Sequence, residues 1–285
     1  MSQLSSFTKV ANKVTEFSEF LSAHIVPLFL PDRRGRPASC GTGLLVASEQ
    51  GLYLVSAAHV FDEMGLGKNL FYYIEPGVIK TLQGTPRSTP MLPSGDRNDD
   101  NLDIAVLRLE PPGLPPHPKL GKWPVPLKAL LSRALPRERK QYLVLGFPAS
   151  RSHINPVDRM VTSQPLPFRN IVAPRITYEA LGLSSEEHVV LPFIQDKVLD
   201  PDGKIRAAPE PKGMSGAPVW LLFDEDGEND PEQTPVVAIA IEHHHRNQKV
   251  LVATDIGVAM KLIGQYEPAN PALQRTRHKG LFEAR

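Results

Sequence analysis

The chain reads as an all-β protein built from two successive sets of short antiparallel strands, as barrels or sandwiches, with a helix near each end. Three observations carry that reading. Short apolar runs recur at close spacing, with turn residues between them. The 29 prolines cluster at 111–126, at 164–174 and around 209–218, which disfavours long helices and parallel βαβ units. Clear helical periodicity is confined to the two ends.

Residues 6–23 place Phe7, Val10, Val14, Phe17 and Leu21 at steps of three and four, the pattern of an amphipathic helix. The period then changes. IVPLFL (25–30) is a short apolar run, followed by the charged turn DRRGRPAS. CGTGLLVAS (40–48) and GLYLVSAAH (51–59) read as a hairpin, and LFYYIE (70–75) with GVIKTLQG (77–84) as a further pair. LDIAVLRLE (102–110) reads as a strand. Residues 111–139 form a proline-rich crossover linker carrying a short amphipathic piece, LKALLSRAL.

QYLVLGFPA (141–149) opens the second set, which continues through RNIVAPRITYE, EHVVLPFIQ, APVWLLFD, TPVVAIAIEHH and QKVLVATDI. DEDGENDPEQ (224–233) is an acidic surface loop, and GVAMKLIGQY (257–266) a C-terminal helix. The expected division is an N-terminal helical extension over 1–24, a first β unit with linker over 25–135, a second β unit with its helix over 136–266, and a polar tail over 267–285.

Composition bounds the function. Hydrophobic residues make up 41% of the 285 and charged residues 22%, which suits a packed core rather than disorder. Lys and Arg total 32 against 31 Asp and Glu, so net charge gives no reason to expect nucleic acid or an anionic membrane as partner. Cys40 is the only cysteine, which rules out an intrachain disulfide and a cysteine-based metal site. The opening stretch MSQLSSFTKVANKVTEFSEF lacks the apolar core of a signal peptide, and no run reaches the roughly 18 apolar residues of a membrane span. The expected location is the cytoplasm.

Three short motifs then stand out: His59 in LVSAAHVF, Asp103 in DNLDIAVLRL, and Ser215 in KGMSGAPVW. A serine hydroxyl is a poor nucleophile at neutral pH and needs a base to take its proton. Histidine, with an ordinary pKa near 6.5, suits that task. A carboxylate fixes the imidazole tautomer and stabilises the imidazolium that forms. Taken singly, each motif also has a plain structural reading: a Gly/Pro turn, a packed histidine, a loop-capping aspartate. Asp96, Asp99 and Asp100 are rival carboxylates beside Asp103, and the residues alone do not choose among them.

In their order along the chain, GTGLLV…YLVSAAHVF, NLDIAVLRL and GMSGAPVW followed by VVAIAIEHH resemble the chymotrypsin/trypsin-like serine peptidase family, in particular its bacterial, disulfide-free, HtrA-like branch. The resemblance spans about residues 25–265. It implies two six-stranded β-barrels with a cleft between them. His59 would be the general acid/base, Asp103 its orienting partner and Ser215 the nucleophile, with an oxyanion hole from the Gly213 and Ser215 N–H groups. Two positions depart from the family pattern. Met214 stands where many relatives carry the acidic residue that pairs with a new N-terminus, which argues against that route of activation, and Ala217 replaces a glycine.

By the same resemblance, the substrate pocket is walled by APEPKG and AIEHHH, which puts Glu210, Lys212, Glu242 and His243 at its rim. Glu210 or Glu242 would favour Arg or Lys in the substrate, His243 an acidic residue, and the former is preferred. The His243–His245 run is read as a strand end rather than a metal site, and neither metal nor other cofactor is expected. The leading reading is a cytoplasmic serine endopeptidase acting on protein or peptide substrates. Without signal peptide or disulfide it would need narrow specificity, or control by a regulatory partner or signal in a defence or stress role. The alternative is a catalytically silent peptide-binding module of the same fold.

Overall fold

The computed structural model describes residues 16–65, 69–75, 78–91, 93–109, 122–132, 140–154, 161–199, 205–222, 230–244 and 249–266. Of the expected N-terminal helix, residues 16–22 (α1) are described, and Phe17 and Leu21 enter the core from them. The rest of that helix, the acidic loop at 224–229, most of the linker and the tail lie outside the described residues.

The first sheet contains β1 (Ile25–Pro31), β2 (Pro37–Ser48), β3 (Gly51–Ala57), β4 (Phe71–Glu75), β5 (Val78–Thr81), β6 (Arg87–Ser88), β7 (Ile104–Leu109) and β8 (Val125–Pro126). Its order is β5-β4-β1-β2-β3-β7-β6, antiparallel throughout, with β8 pairing in parallel to β2. Among the described residues it therefore has eight strands where six were expected; β6 and β8 are two-residue pieces recruited by pairing rather than by an apolar pattern of their own.

The second half holds β9 (Gln141–Gly146), a small hairpin of β10 (Ser152–Ile154) and β11 (Val161–Ser163), then β12 (Leu166–Ile171), β13 (His188–Pro192), a two-residue pair β14 (Val198–Leu199) and β15 (Ile205–Arg206), β16 (Pro218–Leu222), β17 (Val236–His244) and β18 (Val250–Asp255). Six of these form one antiparallel sheet in the order β12-β9-β16-β17-β18-β13. Successive side chains of a strand point to opposite faces. Tyr142 and Val144 of β9 accordingly join one apolar cluster, with Val219, Leu221, Leu251 and Ala253. Leu143 and Leu145 join another, which includes Leu54 and Val106 of the first sheet and Ile263. Both faces of this sheet are buried, which is why its strands read as nearly continuous apolar runs.

Two expected strand boundaries are corrected. The run ending at His59 stops pairing at Ala57, and α2 (Ala58–Gly65) begins there, so His59 lies in the first turn of a helix. RNIVAPRITYE is not one strand. It divides at Pro174 into β12 and α3 (Arg175–Leu181), which Gly182 ends in the left-handed conformation at φ 67°. The C-terminal helix α4 (Ile256–Gly264) occurs as expected, capped by the Asp255 carboxylate on Gly257 N–H at 2.8 Å.

Where the linker returns, Lys122 Nζ donates to Ser22 O (2.7 Å) and Ile25 O (2.9 Å) and ties it to the corner between α1 and β1. Burial there pushes its pKa down to about 8. Among the described residues, no helix is long and apolar enough to cross a membrane.

Candidate active site

His59 and Asp103 come from neighbouring segments of the first sheet. β3 pairs with β7 up to Ala57 and Ile104, so the chain leaving β3 and the chain entering β7 meet at one end of the sheet. His59 Nδ1 lies 2.6 Å from Asp103 Oδ2, and His59 N–H donates to Asp103 Oδ1 at 2.9 Å. An ionised carboxylate only accepts, so it holds the ring proton on Nδ1 and leaves Nε2 of the neutral ring as an acceptor. The Asp103 side chain is 9% exposed, whereas that of His59 is 41% exposed and open to the cleft.

Asp103 has φ 42°, a left-handed conformation that costs an L-residue about 1–2 kcal/mol. The loop before β7 is bonded on every side. Ala58 N–H donates to Asp103 O (2.8 Å), Thr254 Oγ1 to Leu102 O (2.7 Å), and Leu102 N–H to Asp100 Oδ1 (3.0 Å). His188 Nε2 stands 2.8 Å from Asn101 O. Thr254 and His188 belong to β18 and β13, so the second sheet helps to shape the loop that carries Asp103.

Ser215 sits at the junction of two tight turns. Met214 N–H donates to Pro211 O (2.8 Å) with Gly213 at φ 92°, and Ala217 N–H donates to Met214 O (2.8 Å) with Gly216 at φ 88°. Positive φ at the third residue of each is the type II geometry, which is why glycine stands at both positions. Thr42 of β2 locks the loop from the first sheet. Its N–H donates to Ser215 O (2.8 Å), and its hydroxyl donates to Gly213 O (3.0 Å) while accepting from Phe147 N–H (2.9 Å). The Ser56 hydroxyl donates to Thr42 O at 2.7 Å. Among the described residues, the carbonyls from Pro211 to Ser215 each accept a hydrogen bond, while the N–H groups of Gly213 and Ser215 donate none.

His59, Asp103 and Ser215 line one cleft of about 530 Å³. Its wall is apolar at Met214, Ala240, Ile241 and Leu251 and charged at Arg97, Asp100, Glu210, Lys212 and Glu242. Glu210, Lys212 and Glu242 thus stand at the same cleft, all exposed. His243 lies in β17, paired with Leu251, but its side chain is outside the described residues, as is all of His245. Sequence reasoning left out Thr42, Ser56 and Arg97, and named Asp100 only as a rival to Asp103. Of the rivals, Asp96 and Asp99 are exposed and outside the residues lining the cleft, while Asp100 supports the Asp103 loop. Burial opposes ionisation of Asp100, but hydrogen bonds from Thr89, the Asp103 and Leu102 N–H groups and Arg97 outweigh it and hold its carboxyl below the usual carboxylate range.

No protein-family model matches the chain, and no curated protein sequence matches it. Solved structures do. A thermostable serine protease, AL20, from an extremophilic microorganism aligns over 88% of this chain and 100% of its own, at 14% identity and a TM-score of 0.52. Neuropsin, a serine protease of the mouse brain limbic system, aligns over 87% and 96%, at 15% identity and 0.56. Human heparin binding protein aligns over 87% and 93%, at 13% and 0.52. At these identities the likeness establishes the fold alone: the chain has the mostly β fold of the trypsin-like serine proteases.

Proposed function

We propose that this protein is a serine endopeptidase, and the observation that carries the reading is the His59–Asp103 hydrogen-bonded pair lining one cleft with Ser215. Ser215 Oγ attacks the substrate carbonyl carbon and its proton passes to His59 Nε2. The Asp103 carboxylate fixes the reactive tautomer and stabilises the imidazolium. The developing oxyanion is met by the Gly213 and Ser215 N–H groups, which have no other acceptor among the described residues; such a donor contributes about 3 kcal/mol. The intermediate collapses to an acyl-enzyme as His59 returns the proton to the leaving amine. Water, deprotonated by His59, then releases the acid.

On this reading the two sheets are the two barrels of the fold, with residues 25–135 supplying base and carboxylate and 136–266 the nucleophile. The substrate enters as an extended strand. Glu210 and Glu242 at the cleft favour basic side chains in the substrate. Action is in the cytoplasm, on a narrow set of substrates or under a regulatory partner.

Labelling with a fluorescent fluorophosphonate tests the proposal. The wild type should label, and Ser215→Ala and His59→Ala should not. A folded wild type that stays unlabelled favours the silent peptide-binding module instead.

A further inference from the structure

Arg97 stands between the two segments that carry His59 and Asp103. Its side chain is 12% exposed. Nε and Nη2 form a fork on Asp62, at 2.8 Å to Oδ2 and 3.0 Å to Oδ1. Nη1 reaches Asp100 Oδ2 at 2.8 Å and Thr89 O at 3.0 Å. Asp62 lies on α2, one helical turn after His59, and Asp100 lies three residues before Asp103. The other oxygen of Asp100 accepts the Leu102 N–H at 3.0 Å, and Asp100 also accepts from the Asp103 N–H.

A guanidinium holds its five donors in a rigid plane. Because one such group binds both carboxylates, it sets the distance between α2 and the Asp103 loop. The 2.6 Å contact between His59 and Asp103 depends on that distance. Arg97 lines the cleft, yet four of its N–H groups are committed to Asp62, Asp100 and Thr89, which leaves no fork for a substrate carboxylate. Asp62 and Arg97 are 35 positions apart, so no local turn explains their pairing.

We propose that Arg97 is a positioning residue for the His59–Asp103 pair, bracing α2 against the loop at 100–103 through Asp62 and Asp100. The inference rests on the peptidase reading for its consequence in turnover, but the geometry it predicts can be measured without turnover.

The test records the downfield proton resonance of His59 Nδ1 in full-length Ser215→Ala protein with Arg97 intact, with Arg97→Met, with Arg97→Lys and with Asp62→Asn, each checked for folding by circular dichroism. The same brace variants on the Ser215 background are assayed for fluorophosphonate acylation. With Arg97 intact, the resonance should be sharp. Arg97→Met and Asp62→Asn should broaden or lose it, and Arg97→Lys, which keeps the charge but not the fork, should do so in part. The maximal acylation rate should fall about tenfold, with probe affinity unchanged, as misplacement of reacting groups does.

An unchanged resonance in folded Arg97→Met overturns the proposal. If that variant does not fold, an unchanged resonance in both Arg97→Lys and Asp62→Asn overturns it. A protein with Arg97 intact and no resonance overturns it as well. If the resonance responds as expected but the wild type is never acylated, the brace stands and the peptidase reading falls.

Discussion

Around His59 and Asp103 the geometry rests on charged side chains, whereas around Ser215 it rests on backbone. Arg97, Asp62 and Asp100 hold the first region, and the strained Asp103 is kept in place by hydrogen bonds to a carboxylate and to the second sheet. The second region is two type II turns whose carbonyls are bonded to N–H groups and to one threonine hydroxyl. The difference predicts how each fails. The first should be sensitive to lost charge and to pH, the second to added volume and to lost neutral hydrogen bonds.

The largest effect should come from Gly216→Ala. A Cβ at Gly216 would overlap Thr42 O and Ser56 Oγ, and φ 88° strains any L-residue. Left-handed strain costs about 1–2 kcal/mol and overpacking about 1–3 more, so the variant should lose about 2–5 kcal/mol and all fluorophosphonate labelling. Gly35→Ala is the control: it carries φ 73° with nothing within 4 Å of the added methyl, so it isolates the strain. Urea denaturation of both variants separates the terms, and equal losses would show that crowding at Ser215 is not what fixes the turn.

Thr42→Val should have the next effect. It keeps the backbone bond from Thr42 N–H to Ser215 O but removes both hydroxyl bonds. The Phe147 N–H is left buried without an acceptor, which costs about 1–3 kcal/mol. Freeing Gly213 O also loosens the peptide that follows it, so acylation should slow while the His59–Asp103 resonance is unchanged. Loss of that resonance in Thr42→Val would mean that the two regions are not independently held.

The same contrast explains what the sequence disclosed. His59, Asp103 and Ser215 were visible because each lies beside an apolar strand with distinctive neighbours. The turn around Ser215 was visible as a Gly/Pro stretch, and the positive φ of Gly213 and Gly216 is the reason glycine stands there. Arg97 and Asp62 were not, because an ion pair joining residues far apart in sequence leaves no local pattern. α3 was misread because Ile176, Thr177 and Tyr178 favour strands, although Pro174 and Gly182 bracket it in the way of a helix. The strands β6 and β8 carry no pattern at all and exist through their partners.

The smallest effect, and the most selective, should appear in acid. The carboxyl of Asp100 is held below its ordinary 3.8 in the folded protein. A depressed carboxyl contributes stability that is complete above the unfolded value and is lost as pH falls through the folded one, so the window lies below about pH 4. The Leu102 and Asp103 N–H groups donate to that carboxylate, whereas the Gly216 and Ala217 N–H groups donate to the carbonyls of Ala240 and Met214, which do not titrate. Amide exchange, corrected for its intrinsic pH dependence, should therefore lose protection at Leu102 and Asp103 first as pH drops from 5 to about 3, ahead of Gly216 and Ala217. Asp100→Asn should abolish that pH dependence at the two loop amides and leave the turns around Ser215 as they were. If all four amides lose protection together in the wild type, the charged region is not a separate unit, and the Asp103 loop is held by the second sheet through Thr254 and His188 rather than by Asp100.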